Sequence, residues 1–456
     1  MERGYRLLES TMSMCSDCMR LVPAKIIEQE GKAILIKRCT THGAQQALLE
    51  EDASWFKGRA RFDRPGNTII AQTKPERGCP YDCGLCPDHE QHTCIGLIEV
   101  TTACNLRCPT CYASAGQGKY LDIPTIKRML DLYVESEPDG AEILQLSGGE
   151  PTLHPEIIEI IKLAREKVRY VMLNTNGLRI ADDERFVEQL AQFQGRFEVY
   201  LQFDGLDEST HTRLRGRDLR AIKQRAIDNL KRHNIPITLV ATVEKGVNDH
   251  EVGAILHFAL AQPNIRGVNF QPVAFFGRRP SDKPMDRTTL TGVLHRLEEQ
   301  MGGMLNVSDF TPLPCDVHRA AVSYLFRKKS EFVPVSRKID IASVIPSIPN
   351  TFNLDADKLL AGGDATPPCC SGGGCGVKKS DLLKLIPISY LAKSEREKID
   401  FVTDSVFRIS VTSFIDAYNF DLTSMRKECV HILTADGKKI PFSSYNMLHR
   451  GRREMK

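Results

Sequence analysis

Residues 95–112 read IGLIEVTTACNLRCPTCY, and this stretch decides the fold. Its first half is a continuous apolar run of strand length. Its second half places Cys104, Cys108 and Cys111 in a C-x3-C-x2-C loop directly after that run. Three thiolates in one short loop can bind three irons of a 4Fe–4S cubane, which leaves the fourth iron without a protein ligand. The sequence therefore predicts a strand followed by a metal cluster with one open coordination site.

Strands and helices alternate after this first strand. Five further apolar runs of strand length follow, and a stretch of helical character separates each from the one before it. Parallel strands joined by helical crossovers produce this order. Six β/α units are too few for a complete eight-unit barrel, so we predict an α/β fold with an open, curved (β/α)6 partial barrel.

Glycine-rich and polar motifs end the second, third and fourth predicted strands. The carboxyl ends of parallel strands are where such sheets assemble ligand sites. Glycines at such a point let the backbone approach a ligand closely. We therefore expect one site that combines these motifs with the cysteine loop. The candidate residues are Gly148, Gly149, Glu150, Asn174, Gln202 and Asp204.

The C-x3-C-x2-C loop, the GGEP motif at residues 148–151 and the strand order together resemble the radical S-adenosylmethionine (radical SAM) superfamily. The resemblance covers residues 95–280 approximately. It implies that Cys104, Cys108 and Cys111 hold a 4Fe–4S cluster whose open iron binds the amino and carboxylate groups of S-adenosylmethionine. An electron from that cluster then cleaves the cofactor to a 5′-deoxyadenosyl radical.

The same resemblance implies roles for the other motifs. The GGE segment would receive the methionine amino group, and the ends of the third and fourth strands would bind the ribose or the carboxylate. The residue before the third cysteine is usually aromatic in this superfamily but is Thr110 here, so Tyr112 is expected to contact the adenine. By motif, these residues are Gly148, Gly149, Glu150, Asn174, Gln202, Asp204 and Tyr112.

The chain has 15 cysteines in 456 residues, and most of the others are also grouped. Cys79, Cys83 and Cys86 repeat the C-x3-C-x2-C spacing within a Pro/Gly-rich loop, and Cys94 is the candidate fourth ligand. Four thiolates would saturate a cluster, so we interpret this set as an auxiliary 4Fe–4S site. A zinc knuckle is the alternative.

A later group suggests a second auxiliary cluster. Its candidate ligands are Cys315, Cys369, Cys370 and Cys375, with a glycine-rich turn between the last two. The alternative is that one of the adjacent pair is spare and another group completes the site. Cys429 remains, in an apolar run, where we expect a buried small hydrophobic residue and not a ligand.

The N-terminal segment carries a third kind of metal motif. Cys15 and Cys18 precede, and Cys39 and His42 follow, an alternating stretch that turns at Glu30-Gly31. Two knuckles joined by a hairpin are typical of a zinc-ribbon or rubredoxin-like module. These four donors suit one tetrahedral ion, either zinc or iron.

Composition limits the class of protein. Lys and Arg total 61 and Asp and Glu total 58, a near-neutral balance that argues against a nucleic-acid binder. The chain lacks an apolar run of the roughly 18 residues that a membrane span needs. The first residues carry mixed charges and do not read as a secretory signal. We therefore expect a cytoplasmic protein with at most peripheral membrane contact.

Four domains are expected from these patterns. They are a metal module over residues 1–58, an auxiliary-cluster segment over 59–94, the radical SAM core over 95–300 and a C-terminal auxiliary Fe–S domain over 301–456. The expected cofactors are S-adenosylmethionine, one cluster that binds it, about two auxiliary 4Fe–4S clusters and one mononuclear iron or zinc. A ferredoxin- or flavodoxin-like protein would supply electrons.

The order of motifs over the whole chain is similar to a radical SAM group that includes tetraether lipid synthases and pterin-methyltransferase-like enzymes. This implies hydrogen abstraction from an unactivated C–H bond, with carbon–carbon bond formation between lipid chains. The alternative is methylation or another modification of a small heterocycle such as a pterin. The closing IPFSSYN segment has serines where a cysteine is expected in that group, so the resemblance leaves the identity of the substrate open.

Two observations would discriminate among these hypotheses. A lipid-joining enzyme needs a long apolar tunnel to the open cluster, whereas a pterin enzyme needs a compact polar pocket. An Fe–S electron-transfer protein is the alternative from another class, and it would need neither the GGEP motif nor an open cluster site.

Overall fold

Two β-sheets organise the chain. A computed structural model describes residues 4–67, 69–279, 282–328, 331–339 and 405–450, and positions 341, 350 and 394. Three of the predicted metal ligands, Cys369, Cys370 and Cys375, lie outside the described residues.

The N-terminal sheet has four antiparallel strands in sequential order. Glu30 and Gly31 form its central turn with φ angles of 51° and 73°. Left-handed backbone at both positions matches the twist of a two-residue hairpin, so the predicted hairpin is confirmed. The strands are β1 Arg6–Met14, β2 Leu21–Gln29, β3 Lys32–Cys39 and β4 Gly43–Glu50.

Six parallel strands form the centre of the second sheet, and each strand lies next to the one that precedes it in the sequence. Most of their residues are buried, as in parallel strands covered on both faces. The predicted (β/α)6 core is therefore confirmed. Its strands are β5 Ile95–Thr101, β6 Ile143–Gly148, β7 Tyr170–Thr175, β8 Phe197–Gln202, β9 Ile237–Val243 and β10 Ile265–Pro272.

The helices pack one apolar face against this sheet. In α2 the buried residues are Ile126, Met129, Leu130 and Tyr133, which lie on one face of a helix. The helices of the described residues are α1 Ala53–Gly58, α2 Ile123–Glu135, α3 Ile157–Lys167, α4 Leu178–Asp182, α5 Glu184–Ala191, α6 Glu208–Arg215, α7 Arg220–Arg232, α8 Val252–Leu260, α9 Leu290–Gln300, α10 Leu422–Arg426 and α11 Phe442–Ser444, which continues as a π-helical turn Tyr445–His449. Short 3-10 turns cover Arg59–Phe62, Pro151–Leu153, Val307–Asp309 and Val335–Arg337.

Strands from the C-terminal third extend the core sheet on both edges. β14 pairs with β10, and β12 continues the sheet outward to β11 and β13, whereas β15 pairs with β5 and carries β16. The predicted hairpin at Asp436-Gly437 joins β15 to β16 and is confirmed. These strands are β11 Thr311–Leu313, β12 Asp316–Lys328, β13 Glu331–Pro334, β14 Val406–Thr412, β15 Val430–Leu433 and β16 Lys439–Pro441.

The sheet curves until its two ends meet. Leu313 and Val322, from β11 and β12 at one end, pack in the same apolar cluster as Cys94, Ile95 and Cys429 at the other end. The interior of the partial barrel is therefore enclosed on its sides. Of the helices in the described residues, not one has both the length and the apolar character that spanning a bilayer demands.

Candidate active site and metal centres

The cluster loop, Cys104 to Cys111, follows the carboxyl end of β5 and lines a cavity of about 240 Å³ inside the barrel. Its three thiols pack around Leu106 and Leu219. Burial raises the pKa of Cys104 to about 11 and also raises the pKa of Cys108. Three thiols from one loop on the wall of one cavity fit a 4Fe–4S cluster whose fourth iron is reached from that cavity.

Two glycines let the end of β6 lie against the cluster loop. The amide of Gly149 donates to the Thr101 carbonyl at 2.8 Å, and the amide of Glu150 donates to the Ala103 carbonyl at 2.8 Å. A Cβ atom at Gly149 would lie 2.1 Å from the Ala103 oxygen, and one at Gly148 would lie 2.0 Å from the Thr101 oxygen. Gly148 also has a φ of +128°, which side chains disfavour. Only glycine fits at both positions.

Glu150 lies in the cavity wall, but protein groups already bind its carboxylate. The Thr152 and Thr175 hydroxyls donate to Oε1 at 2.6 and 2.7 Å, and the Asn176 amide donates to Oε2 at 2.7 Å. Burial raises the pKa of this carboxyl. Glu150 therefore ties the end of β6 to the end of β7, and its predicted contact with the methionine amino group stays a prediction.

Asn174 and Gln202 both line the cavity, at the ends of β7 and β8. Asn174 Nδ2 donates to Gln145 Oε1 at 3.3 Å, whereas Asn174 Oδ1 is buried with no hydrogen-bond partner among the described residues. A buried acceptor without a partner in a cavity wall indicates a place for a ligand donor.

Asp204, just after β8, forms an ion pair with Arg215. It is fully buried, it does not line the cavity, and Arg215 donates to both its oxygens at 2.6 and 2.7 Å. The Thr242 amide donates to Oδ1 as well. The carboxylate orients Arg215, which does line the cavity, and the predicted contact of Asp204 with the cofactor stays a prediction. Burial acts to raise the pKa of Asp204, but the charge and hydrogen bonds of Arg215 lead the effects that hold this pKa below its ordinary value.

Tyr112 brings an aromatic ring to the cavity beside the cluster loop. Its hydroxyl hydrogen-bonds with Ser147 Oγ at 3.2 Å, and its ring packs on Phe442 with centroids 5.2 Å apart. Burial raises the pKa of the phenol well above its ordinary value. The predicted contact with adenine stays a prediction.

Two basic residues that sequence reasoning missed support the cluster loop. Arg278 Nε donates to the Cys108 carbonyl at 3.1 Å, and the Arg278 backbone exchanges two hydrogen bonds with Cys111. Lys223 is fully buried, and its Nζ donates to the Asn176 carbonyl at 2.6 Å. Burial lowers the pKa of Lys223 to about 8. A single basic residue has no spacing pattern, so the sequence carried no signal for either.

The N-terminal donors come together as predicted. The donor atoms of Cys15, Cys18, Cys39 and His42 all lie within 4.8 Å of one another. His42 Nδ1 is 3.5 Å from the sulfur atoms of Cys15 and of Cys39. The backbone N–H groups of His42 and Thr41 lower the pKa of Cys39 to about 6, which favours the thiolate that a metal requires. This set fits one tetrahedral ion.

The Cys79 set is also brought together, but without Cys94. A hydrogen bond from Cys79 is the main reason that the pKa of Cys83 is lowered to about 6, and His449 also contacts Cys83. Cys94 lies instead beside Cys315 and Cys429, with the three sulfur atoms within 4.8 Å of one another. Cys94 thus lies beside two cysteines that are distant in the sequence, and its predicted grouping with the Cys79 set stays a prediction.

Cys429 is fully buried, as predicted, but it is not an isolated apolar residue, because its sulfur lies with two other thiols. Cys315 was predicted to share a site with Cys369, Cys370 and Cys375. Since those three lie outside the described residues, that part of the prediction stays a prediction.

Comparison with known proteins gives two family matches. The model of the radical SAM superfamily matches residues 98–259, and that of the HMPTM N-terminal zinc ribbon domain matches residues 7–51. The 7,8-dihydro-6-hydroxymethylpterin dimethyltransferase of Methanocaldococcus jannaschii is 33% identical over 479 aligned positions, which cover 97% of this chain and 94% of that protein.

Other similarities are limited to part of the chain. The GTP 3′,8-cyclase of Chlorobaculum tepidum is 28% identical over 181 positions, which cover 38% of this chain and 53% of that protein. Among solved structures, SuiB of Streptococcus suis bound to S-adenosylmethionine is 18% identical with a TM-score of 0.36 over 46% of this chain and 47% of that chain. The chain thus spans about half the length of both proteins.

Proposed function

This chain belongs to the radical SAM superfamily, in the family of the pterin dimethyltransferase that it matches over nearly its full length, and we propose that it methylates a small pterin-type heterocycle. The chain is an enzyme that uses S-adenosylmethionine together with iron–sulfur clusters. A 4Fe–4S cluster held by Cys104, Cys108 and Cys111 would supply the electron for reductive cleavage of S-adenosylmethionine. The residues of this chain must bind S-adenosylmethionine and the heterocycle and orient them relative to each other.

The lining of the cavity beside the cluster loop carries this proposal. The strands of the barrel contribute a series of polar side chains, and aromatic residues contribute much of the remaining wall. A fused heterocycle has hydrogen-bonding edges and apolar faces, and such a lining suits both. The polar residues are Gln145, Asn174, Tyr200, Gln202, Thr242 and Gln271, and the aromatic ones are Tyr112, Phe276, Phe414 and Phe442.

The near full-length relative favours a pterin over a lipid as the substrate. The predicted lipid-coupling reaction has no support in the comparisons, whereas the pterin alternative has the support of the cavity lining and of the near full-length relative.

Two groups on the cavity wall are suited to bind the charged end of S-adenosylmethionine. Arg215 brings a guanidinium to the cavity wall, where Asp204, Thr242 and the Thr110 carbonyl already accept hydrogen bonds from it, so it contributes a fixed charge and not a set of free donors. Asn174 offers the unpaired Oδ1 acceptor, which can receive an ammonium or hydroxyl proton. Tyr112 and Phe442 offer ring surfaces on which a base or a pterin can stack.

The test is a substrate comparison with the anaerobically reconstituted enzyme. It receives S-adenosylmethionine and a chemical or a ferredoxin-type reductant, with either 7,8-dihydro-6-hydroxymethylpterin or a diether lipid. We expect tight binding of the pterin, measured by its fluorescence, and pterin-stimulated formation of 5′-deoxyadenosine. Cleavage leaves the methyl group of that S-adenosylmethionine on methionine, so a second S-adenosylmethionine, present in excess, would serve as the methyl donor. Mass spectrometry should then find a pterin product heavier by one CH2, because a methyl group replaces a hydrogen. Product formed from the lipid and not from the pterin would contradict the proposal.

A pair of variants separates substrate binding from cofactor cleavage. Gln145→Leu and Gln271→Leu remove amide groups from the cavity wall, so pterin affinity should fall about tenfold for each, the loss typical of one good hydrogen bond. Cleavage of S-adenosylmethionine in the absence of pterin should persist. Gln224→Leu, on the exposed face of α7, is the matched control and should change neither quantity.

A further inference from the structure

A second cavity, of about 640 Å³, lies next to the cavity at the cluster loop. It forms at the carboxyl ends of β9 and β10, and Val273, just after β10, lines both cavities. A ligand in one cavity is therefore within reach of the other. We call the second one the basic cavity, because five of its lining residues are basic and two are acidic. The basic residues are Arg213, Lys245, Arg279, Lys283 and Arg287, and the acidic ones are Glu244 and Asp286.

Protein carboxylates neutralise only part of the positive charge around the basic cavity. Lys245 and Arg279 each pair with an aspartate, Lys245 with Asp286 at 2.8 Å. The amine of Lys283 is 3.9 Å from that same aspartate, at the limit of an ion pair. Arg213 is exposed and forms no ion pair within the described part of the chain. Arg213 and Lys283 therefore place charge at the rim that can attract an anion.

The buried part of the wall adds hydrogen-bond donors that lack partners. Arg287 and Thr288 are only 6% and 3% exposed. Arg287 Nη2 donates to Asp416 Oδ2 at 2.8 Å and to the Val273 carbonyl at 3.1 Å, whereas Arg287 Nη1 and the Thr288 hydroxyl have no hydrogen-bond partner among the described residues. Buried polar groups seldom stay unpaired, and both of these can donate. They indicate a ligand that accepts hydrogen bonds.

Glu244, the carboxylate in this wall that has no aspartate-like ion pair, is compatible with an acidic ligand. Its Oε2 atom is buried, again with no hydrogen-bond partner among the described residues. Burial raises the pKa of this carboxyl, although the charges of Arg213 and Lys283 act to lower it. A protonated carboxyl donates a hydrogen bond, so in that form Glu244 adds a third donor to the basic cavity.

We propose that the basic cavity binds the phosphate or carboxylate group of a small molecule that acts at the cluster-loop cavity. The rim cations attract the acidic group, and the buried donors fix its position. This inference rests on the proposed function, because the heterocycle in the neighbouring cavity brings the acidic group to this place. The group belongs either to the pterin itself, as an ester of its hydroxymethyl group, or to a separate acidic co-substrate.

Binding of inorganic diphosphate tests the acid-binding role without a pterin. Calorimetry with the anaerobically reconstituted full chain should find one diphosphate bound per chain. The double variant Arg213→Gln/Lys283→Gln should bind it at least about tenfold more weakly, since two charge-assisted contacts are lost. Arg217→Gln/Lys231→Gln removes the same charge from exposed positions outside both cavities and should keep the wild-type affinity. Absence of diphosphate binding, or equal affinity in wild type and the first variant, would overturn the proposal.

A second titration identifies the molecule that carries the acidic group. Fluorescence compares 7,8-dihydro-6-hydroxymethylpterin with its diphosphate ester. The ester should bind wild type at least about tenfold more tightly, and Arg213→Gln/Lys283→Gln should abolish that advantage. If the ester has no advantage although diphosphate binding still needs the two cations, the group belongs to a co-substrate. Diphosphate binding without binding of either pterin would refute the proposed function alone, whereas pterin binding without diphosphate binding would refute this inference alone.

Discussion

Two short cysteine motifs of the chain differ in where their support comes from. They are the cluster loop and the N-terminal quartet, which is formed by Cys15, Cys18, Cys39 and His42. The quartet is held by its own turns, since the amides that stabilise the Cys39 thiolate belong to Thr41 and His42. The cluster loop is held by residues from far along the chain, including Gly149, which packs against Ala103, and Arg278, which binds the Cys108 carbonyl.

This difference follows from what each site must do. A structural ion needs only its ligands, because the metal itself orders the small module around it. A site that generates a radical must also position a cofactor and a substrate and keep water away. The cluster loop should therefore be sensitive to substitutions at a distance, and the quartet should not. Four predictions test this contrast.

The largest effect is expected from removing a ligand of the cluster loop. Cys108→Ala takes away one of three thiols that line the cavity, so the cluster would lose a protein bond that no other described residue of the loop replaces. Cleavage of S-adenosylmethionine, measured as 5′-deoxyadenosine by chromatography, should fall to the background of the reductant. Cys86→Ala in the second cysteine loop is the control and should leave measurable cleavage. Equal loss in both variants would show that the two loops have been assigned to the wrong roles.

A substitution that touches no ligand should have the next largest effect. Gly149→Ala places a Cβ atom 2.1 Å from the Ala103 oxygen, so the cluster loop must shift relative to β6. Misplacement of reacting groups by about 1 Å costs roughly a hundredfold in rate. We therefore expect cleavage slower by about tenfold to a hundredfold, with the iron content unchanged.

Gly116→Ala is the matched control for that variant. Gly116 lies in the same segment after the cluster loop, and a Cβ atom there meets nothing within 4 Å. The control should keep wild-type cleavage. If both alanine variants behaved alike, close packing of β6 on the loop would not be what positions the site.

Lys223 supports the cluster loop indirectly, and its effect should depend on pH. Its Nζ binds the Asn176 carbonyl, and Asn176 Nδ2 donates to Asn105 Oδ1 in the loop at 2.7 Å. Burial lowers the pKa of Lys223 from 10.5 to about 8. Between pH 8 and 10.5 the unfolded chain therefore binds a proton that the folded chain has released, so folding stability due to this group rises with pH.

The comparison with Lys223→Met isolates this contribution. The free energy of unfolding of each protein is measured by anaerobic urea titration. The wild-type value minus the variant value should increase by about 3 kcal/mol from pH 8 to pH 10.5, since one pKa unit corresponds to about 1.4 kcal/mol. Other groups titrate in both proteins and cancel. A difference that falls as pH rises would mean that the buried amine is stabilised in its charged form.

The sequence predicts local features of these sites well, and the reason is physical. Metal ligands within one loop have a characteristic spacing, and apolar runs of strand length are recognisable without tertiary information. The quartet, the cluster loop and the hairpins at Glu30-Gly31 and Asp436-Gly437 were therefore all predicted.

Contacts that depend on closure of the barrel were not predicted from the sequence. Cys94 was assigned to the nearest cysteines along the chain, and Cys429 was assigned to none, because the contact between them exists only once the two ends of the sheet meet. Asp204 shows the same limit. Its strand-end position was recognised, but its partner Arg215 on α6 was not. Side-chain direction is decided by packing that spacing does not encode.

The smallest effect on radical chemistry is expected from the quartet itself. Cys18→Ser removes one of four donors, so the protein should lose one mononuclear metal ion, measured by elemental analysis. The donors do not line the cavity at the cluster loop, and the module stays attached through Lys37, whose Nζ donates to the Ala417 and Tyr418 carbonyls at 2.8 and 2.9 Å. Cleavage of S-adenosylmethionine with a chemical reductant should therefore change by less than about twofold, because only the local order of the module depends on the ion. Loss of cleavage comparable to that of Cys108→Ala would place the quartet in the electron path and would remove the contrast between the two sites.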